Sequence, residues 1–304
     1  MHGQPLASAV FRNSPEDFCV DEIIEFQPSN EGEHLIVQIQ KRDQNTQWVA
    51  GLLSELANID RREVGFCGLK DRFAVTTQWF SLHLPGREIT EQQLQHEHFQ
   101  ILAVHRHHKK LRRGMHAGNR FKIILRDFEV ENYSFEDRIQ RIGSEGIPNY
   151  FAEQRFGWQA NNLTRVSELV AAGRLKGNRH GTGLYLSAAR SWLFNLLLDN
   201  YIRRGNCSLS DTGALWGRGR SASSEEWQKI EKEILNNWKE WCEALEHSGL
   251  QQDRRRFLIQ PQDLKYRYIE ANGVELCFSL PAGSYATAVL REIAQLFRPD
   301  MTAL

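Results

Sequence analysis

The sequence has no run of about eighteen or more apolar residues, so none of its helices is expected to span a membrane. Residues 1–17 show no basic start followed by an apolar stretch, and no signal peptide is read there. Cysteine is scarce and scattered: Cys19, Cys67, Cys207, Cys242 and Cys277 are five in number and never spaced C-x-x-C. That pattern argues against a disulfide framework or a zinc–thiolate site and suits a reducing cytosol. Net charge is also absent, with 38 basic and 38 acidic residues. A nucleic-acid partner would therefore have to be held by a local patch. There is no Gly-Lys-Ser/Thr phosphate loop, no G-x-G-x-x-G and no G-x-S-x-G elbow, which sets aside the common nucleotide-binding and serine-hydrolase readings. Neither an internal repeat nor a low-complexity stretch is visible.

What is present suffices for a folded enzyme. The 304 residues are 41% hydrophobic and 25% charged, enough for one large domain or two moderate ones with a sizeable core. Residues 18–26, 75–84 and 120–126 read as strands. So do residues 35–40, where Leu35, Val37 and Ile39 alternate with Ile36, Gln38 and Gln40. Residues 46–59 place Val49, Leu52, Leu53 and Leu56 at helical spacing, and a short helix is expected over 134–141. From about Pro148 the pattern becomes mostly helical. Ser187 is read as the cap of a helix ending at Gly205. Ser223 and Glu226 are read as a capping box opening a helix with Trp227, Ile230, Ile234, Trp238 and Leu245 on one stripe. Strands return at 266–269 and 274–280, and a turn at 281–284 leads to a last helix over 285–296. A helical middle between strand-bearing ends suggests an inserted domain whose flanks complete one sheet.

Three stretches could carry chemistry. In GFCGLKDRFAVTTQ (residues 65–78), a charged Leu-Lys-Asp-Arg segment interrupts two apolar strands. Lys70 and Arg72 flank Asp71 with positive charge, a setting that favours the carboxylate form, and a positioned carboxylate can act as a nucleophile. A solvated turn has the same composition. In HRHHKKLRRG (residues 105–114), five Lys or Arg and three His fall within ten residues. Such density suits phosphate binding, though a bare basic loop is equally compatible. His105, His107 and His108 lack Cys or carboxylate partners at zinc-ligand spacing. Finally, Phe18, Phe121 and Tyr285 each follow polar or glycine-bearing segments. Each could be core, or a face for a base drawn out of its stack.

Taken in order, seven blocks resemble the TruD family of tRNA pseudouridine synthases. They are PEDFCVDEI (15–23), GEHLIVQIQK (32–41), GLKDRFAVTTQ (68–78), GNRFKIILR (118–126), GIPNYFAEQRFG (146–157), LYLSAARSWLFN (184–195) and LPAGSYATAVLRE (280–292). The resemblance implies an α+β fold with a pseudouridine-synthase core, an antiparallel-dominated mixed sheet flanked by helices. It also implies an inserted, largely helical α/β TRUD domain at 148–260, with 1–147 and 261–304 forming the catalytic core. The implied activity is isomerisation of uridine 13 in tRNA to pseudouridine by a cytoplasmic enzyme. On this resemblance Asp71 is the catalytic aspartate and Arg12 its basic partner. Phe18, Asn119, Phe121 and Tyr285 line the uridine pocket. The basic stretch adds Lys109, Lys110, Arg112 and Arg113 as candidate grips on the RNA backbone. The implied partner is tRNA, with no cofactor, metal, membrane or obligate protein partner. Arg12 stands where lysine is common and Tyr285 where phenylalanine is common, and the insertion is comparatively short. Two other readings use the same residues: a tRNA-binding protein without catalysis, which would not need Asp71, and a nucleosidase, which would release free uracil.

Overall fold

In the computed structural model, which describes residues 1–25, 27–130, 135–176, 181–270 and 272–299, the alternating stretches of both chain ends become strands of one sheet. The strands are β1 (Ala7–Phe11), β2 (Phe18–Ile23), β3 (His34–Arg42), β4 (Val64–Phe66), β5 (Val75–His83), β6 (Phe99–His107), β7 (Gly118–Val130), β8 (Gln262–Ile269), β9 (Gly273–Pro281) and β10 (Ala294–Phe297). Their hydrogen-bonded order is β8-β9-β7-β2-β5-β3-β6, with β1 beside both β7 and β10, and β4 beside β5. The β2–β5 and β1–β10 pairs are parallel. The remaining pairs are antiparallel. The fold is thus mixed α and β on a mixed sheet.

The first helix, α1 (Thr46–Leu56), starts where the Asn45 side chain accepts from the Gln47 N–H at 2.8 Å, which satisfies one of the free donors of its first turn. It lays Val49, Ala50 and Leu53 on Leu35, Val37, Ile39, Phe80 and Leu82, and Leu94 of the short α2 (Glu91–Leu94) joins them. The other face of β3 is not simply polar. Ile36 is fully buried with Cys67, Trp79 and Leu111, because the segment after β6 folds back across that face. The third helix, α3 (Phe135–Glu145), begins at the edge of the described residues. The expected start at Ser134 lies outside them, as does Phe26 at the expected end of β2.

The chain divides into two compact units: Gln4–Ile139 with Pro261–Ser284 and Ile293–Leu304, and Met1–Gly3 with Gln140–Gln260 and Tyr285–Glu292. The first unit carries the sheet. The second contains α4 (Asn161–Ala171), α5 (Thr182–Arg204), α6 (Glu225–Ile234), α7 (Lys239–Glu246) and nearly all of α8 (Ala286–Ile293). It also has two short antiparallel pairs, Thr212–Leu215 with Asp253–Arg256 and Ile147–Pro148 with Leu258–Ile259. Its core gathers Leu193, Phe194, Leu197 and Tyr201 of α5 around Leu235, Trp241, Leu245 and Phe257. Gly213 lies where a Cβ would collide with the Phe257 ring, so only glycine lets that strand approach.

Several helix boundaries differ from those read in the sequence. Ser187 lies inside α5 rather than at its start; Gly181 (φ 87°) precedes the helix and Gly205 (φ 85°) ends it. Upstream Leu186 is buried in the same core, so the apolar stripe extends the helix past the serine. Ser224, not Ser223, caps α6 by accepting from the Trp227 N–H at 3.3 Å. Ser223 instead donates to the Glu231 carboxylate at 3.2 Å. The stripe from Trp227 to Leu245 is broken by a turn at Asn236–Trp238, yet Trp227, Ile234, Trp238 and Leu245 still reach one core. The last helix stops at Ile293, and residues 294–297 become β10, pairing with β1 from Ala7↔Ala294 to Val10↔Phe297. There the alternating burial of Ala294 and Leu296 follows the period of a strand.

Candidate active site

The parallel pairing of β2 with β5 decides which loops meet. Cys19 lies opposite Val75, so the segments entering both strands arrive at the same end of the sheet. Arg12 is on one of these segments and Asp71 on the other. Arg12 Nη2 donates to Asp71 Oδ2 at 2.6 Å. The Arg12 guanidinium also lies 4.0 Å from the centre of the Phe18 ring and 5.1 Å from that of Phe11, within cation–π range. Its backbone is held at φ 59°, a left-handed conformation costing about 1–2 kcal/mol for a residue with a Cβ. Among the described residues, Arg12 Nε is buried without a hydrogen-bond partner.

The residues flanking Asp71 are engaged elsewhere. The Lys70 side chain is buried, with Nζ 2.9 Å from Glu22 Oε1 and 2.8 Å from Asn119 Oδ1. The other Glu22 oxygen accepts from the Trp79 N–H at 3.1 Å. Removing one partner of such a buried ion pair leaves an uncompensated charge, typically costing about 3–5 kcal/mol. Arg72 Nε lies 3.5 Å from Asp43 Oδ1. The partner of Asp71 is therefore Arg12, distant in sequence. Lys41 is buried close by, and its ammonium donates to the Gln44 carbonyl at 2.7 Å. Burial first, and then the charge of Lys70, pull its pKa down to about 8 against the opposing pull of Asp71.

Phe18 and Phe121 are buried on adjacent strands, with ring centres 6.1 Å apart, and Phe121 continues to Phe278 at 5.4 Å. Arg12 thus stands between an aromatic row and the carboxylate. Asn119 reaches the same neighbourhood through Lys70. Tyr285 belongs to the other unit, where its hydroxyl accepts from Arg155 Nη2 at 3.0 Å; Arg155 Nη1 donates to Ser187 Oγ, also at 3.0 Å.

The basic stretch leaves the end of β6 and returns along the Asp71 segment. The Leu111 N–H donates to Ser81 Oγ at 2.9 Å and the Gly114 N–H to the Cys67 carbonyl at 2.8 Å. A Cβ on Gly65 would collide with the Leu111 carbonyl, so Gly65 is needed for this approach. Arg106 finds Glu88 at 3.0 Å, and His108 finds Glu31 at 3.3 Å. Glu88, outside the run, thus neutralises one of its five fixed cations, which the run by itself does not reveal. Lys110 donates to the Arg62 carbonyl. Lys109, Arg112 and Arg113 are exposed and make no ion pair among the described residues. Among those residues, no group of three or more His, Cys, Asp or Glu gathers as metal ligands would.

An aspartate held by a distant arginine, on a mixed sheet with an aromatic row beneath the guanidinium, has the groups that acid–base or nucleophilic chemistry uses. The model of the family tRNA pseudouridine synthase D (TruD) matches residues 2–180 and 199–293. The tRNA pseudouridine synthase D of Cellvibrio japonicus is 41% identical over 308 residues, covering 97% of this chain and 92% of that protein. The one from Aeromonas hydrophila is 39% identical over 335 residues, covering 99% and 94%. The crystal structure of the putative tRNA pseudouridine synthase D from Methanosarcina mazei superposes with a TM-score of 0.72 at 20% identity, covering 98% of this chain and 96% of that one. This chain belongs to the tRNA pseudouridine synthase D family.

Proposed function

We propose that this chain isomerises uridine 13 of tRNA to pseudouridine, with Asp71 as the nucleophile. The observation that carries the reading is the 2.6 Å pair between Arg12 and Asp71, set over Phe18. The reaction breaks the bond from C1′ to N1 of uracil and forms one from C1′ to C5; C5 loses a proton and N1 gains one. Oxidation state is unchanged, so the chemistry calls for a positioned carboxylate rather than a redox group. That carboxylate acts at C1′, at C6 or on the 2′-proton. Arg12 aims it, while Phe18, Phe121 and Asn119 receive the base; the family resemblance adds Tyr285 to that role. Drawing the nucleotide out of a structured arm costs a few kcal/mol, and stacking at about 1–3 kcal/mol per base offsets it. On this reading residues 148–260 are the inserted TRUD domain of a cytoplasmic enzyme, and 1–147 with 261–304 its catalytic core. The division is supported by the sheet, whose strands come from 7–130 and 262–297.

The test is pseudouridine mapping on tRNA from cells with and without the gene, together with product analysis of the purified protein. Loss of pseudouridine at position 13 alone is expected. Free uracil as product would make the protein a nucleosidase, and an unchanged map would remove the activity.

The same reading assigns Lys109, Arg112 and Arg113 to the RNA backbone, with Lys110 mainly shaping their loop. Replacing those three with alanine should weaken binding to all tRNAs about equally. It should also flatten the log–log salt dependence by roughly 0.7–0.9 for each phosphate that is no longer neutralised. Turnover at saturating tRNA should persist, since the Asp71 loop keeps its own hydrogen bonds. Unchanged affinity and salt slope in the triple variant would make the loop bare surface.

A further inference from the structure

Three hydrogen bonds in series hold the backbone just before Asp71. Gln78 Nε2, on β5, donates to the Gly68 carbonyl at 2.6 Å. Gln78 Oε1 accepts from Thr46 Oγ1 at 3.0 Å, and Thr46 Oγ1 accepts from the Lys70 N–H at 3.0 Å. Each bond fixes the sense of the next. The Thr46 oxygen takes the Lys70 donor, so its own proton is free for Gln78. The Gln78 amide can face only one way, since the reverse would set its oxygen against the Gly68 carbonyl. Gln78 and Thr46 are 0% and 1% exposed, so water cannot replace these bonds without rearrangement.

Neither side chain is required by the element that carries it. In its strand, Gln78 stands opposite Ile39 through main-chain pairing, and an apolar residue would suit that fully buried position. The α1 N-terminus is capped by Asn45 rather than Thr46. Both polar groups are spent on the loop. On its far side the Asp43 N–H donates to the Ala74 carbonyl at 3.0 Å. Peptide groups at 68, 70 and 74 are thus tied down on both sides of Asp71. The exposed side chains of Leu69 and Phe73, which have little packing of their own to fix them, fall between those ties.

We propose that Gln78 and Thr46 are positioning residues that set the Asp71 carboxylate against Arg12 and the target nucleotide. The inference rests on the reading of Asp71 as the nucleophile. Thr46→Val keeps the shape of the side chain but removes both of its hydrogen bonds, whereas Thr46→Ser keeps the hydroxyl. Gln78→Asn is too short to reach both of its partners. In single-turnover assays with saturating tRNA, Thr46→Val and Gln78→Asn should each form pseudouridine about 10²-fold more slowly, the usual penalty for a small misplacement of a reacting group. Their tRNA affinity should stay within a few-fold of the parent, and Thr46→Ser should recover most of the missing rate. A purely structural role would give a different pattern. It would lower affinity in step with rate, or leave Ser and Val alike, and either result overturns the proposal. If Thr46→Val does not fold, Gln78→Asn decides: a slowed rate at unchanged affinity supports the proposal, and a full rate, or affinity falling in step with rate, overturns it. Asp71→Asn in the same assay separates the two readings. Turnover by that variant overturns the nucleophile, whereas a silent Asp71→Asn beside a full-rate Thr46→Val overturns only the positioning role.

Discussion

Asp71→Asn should form no detectable pseudouridine in a single turnover, a loss on the order of 10⁴-fold or more, while binding tRNA within a few-fold of the parent. The two effects separate because they have different physical sources. One carboxylate oxygen carries the covalent or proton-transfer step, and an amide of the same shape cannot replace it. Affinity comes from phosphate contacts and stacked bases, none of which Asp71 supplies. The substitution should also leave the fold intact. The side chains of Arg12 and Asp71 are 22% and 47% exposed, and ion pairs in such settings contribute only about 0–1 kcal/mol. A thermal melt close to that of the parent is therefore expected, which makes the inactive variant interpretable. Appreciable pseudouridine from Asp71→Asn would remove Asp71 from the mechanism.

How much of this is legible in the sequence depends on the range of each interaction. Local periodicity locates β3, α1, β7 and β9, because burial of one face imposes its period on the residues that make it; β5, buried on both faces, shows no such period and reads as a strand from its β-branched and aromatic residues. Boundaries fail where a tertiary partner overrides a local signal. The end of the last helix gives way to pairing with β1, and the start of α5 moves upstream because Leu186 shares the core. Asp71 stands out as a charge between two apolar strands. Its partner cannot be found by spacing, since only the parallel register of β2 and β5 brings Arg12 to it; the family resemblance is what points to Arg12. Lys70 reads as a flanking charge, and its burial against Glu22 depends on pairing between β2 and β7, where Glu22 lies opposite Asn119. A signal does exist for Gln78: a glutamine next to Trp79 and Phe80, in a stretch that reads as a strand. Polar residues at such positions need a partner, and this one finds the loop.

Arg12→Met should lower the rate of pseudouridine formation by about 10²-fold with tRNA affinity little changed, and Arg12→Lys should recover only part of that loss. Methionine keeps an unbranched apolar stem against Phe18 but gives up the guanidinium that meets Asp71 at 2.6 Å. Lysine restores a charge but not the planar group lying 4.0 Å over the Phe18 ring, nor the fork that lets one face stack while another edge donates. The graded order of Arg, then Lys, then Met separates aiming from mere charge. If charge alone mattered, Lys would match Arg; if the arginine only packed on the aromatics, Met would come close to Arg. The left-handed backbone at Arg12 gives an independent control. All three side chains bear the same Cβ strain, so the variants should differ little in thermal stability, and a difference in rate can be assigned to the side chain's head group. A rate for Arg12→Met within a few-fold of the parent would show that Asp71 needs no partner to act.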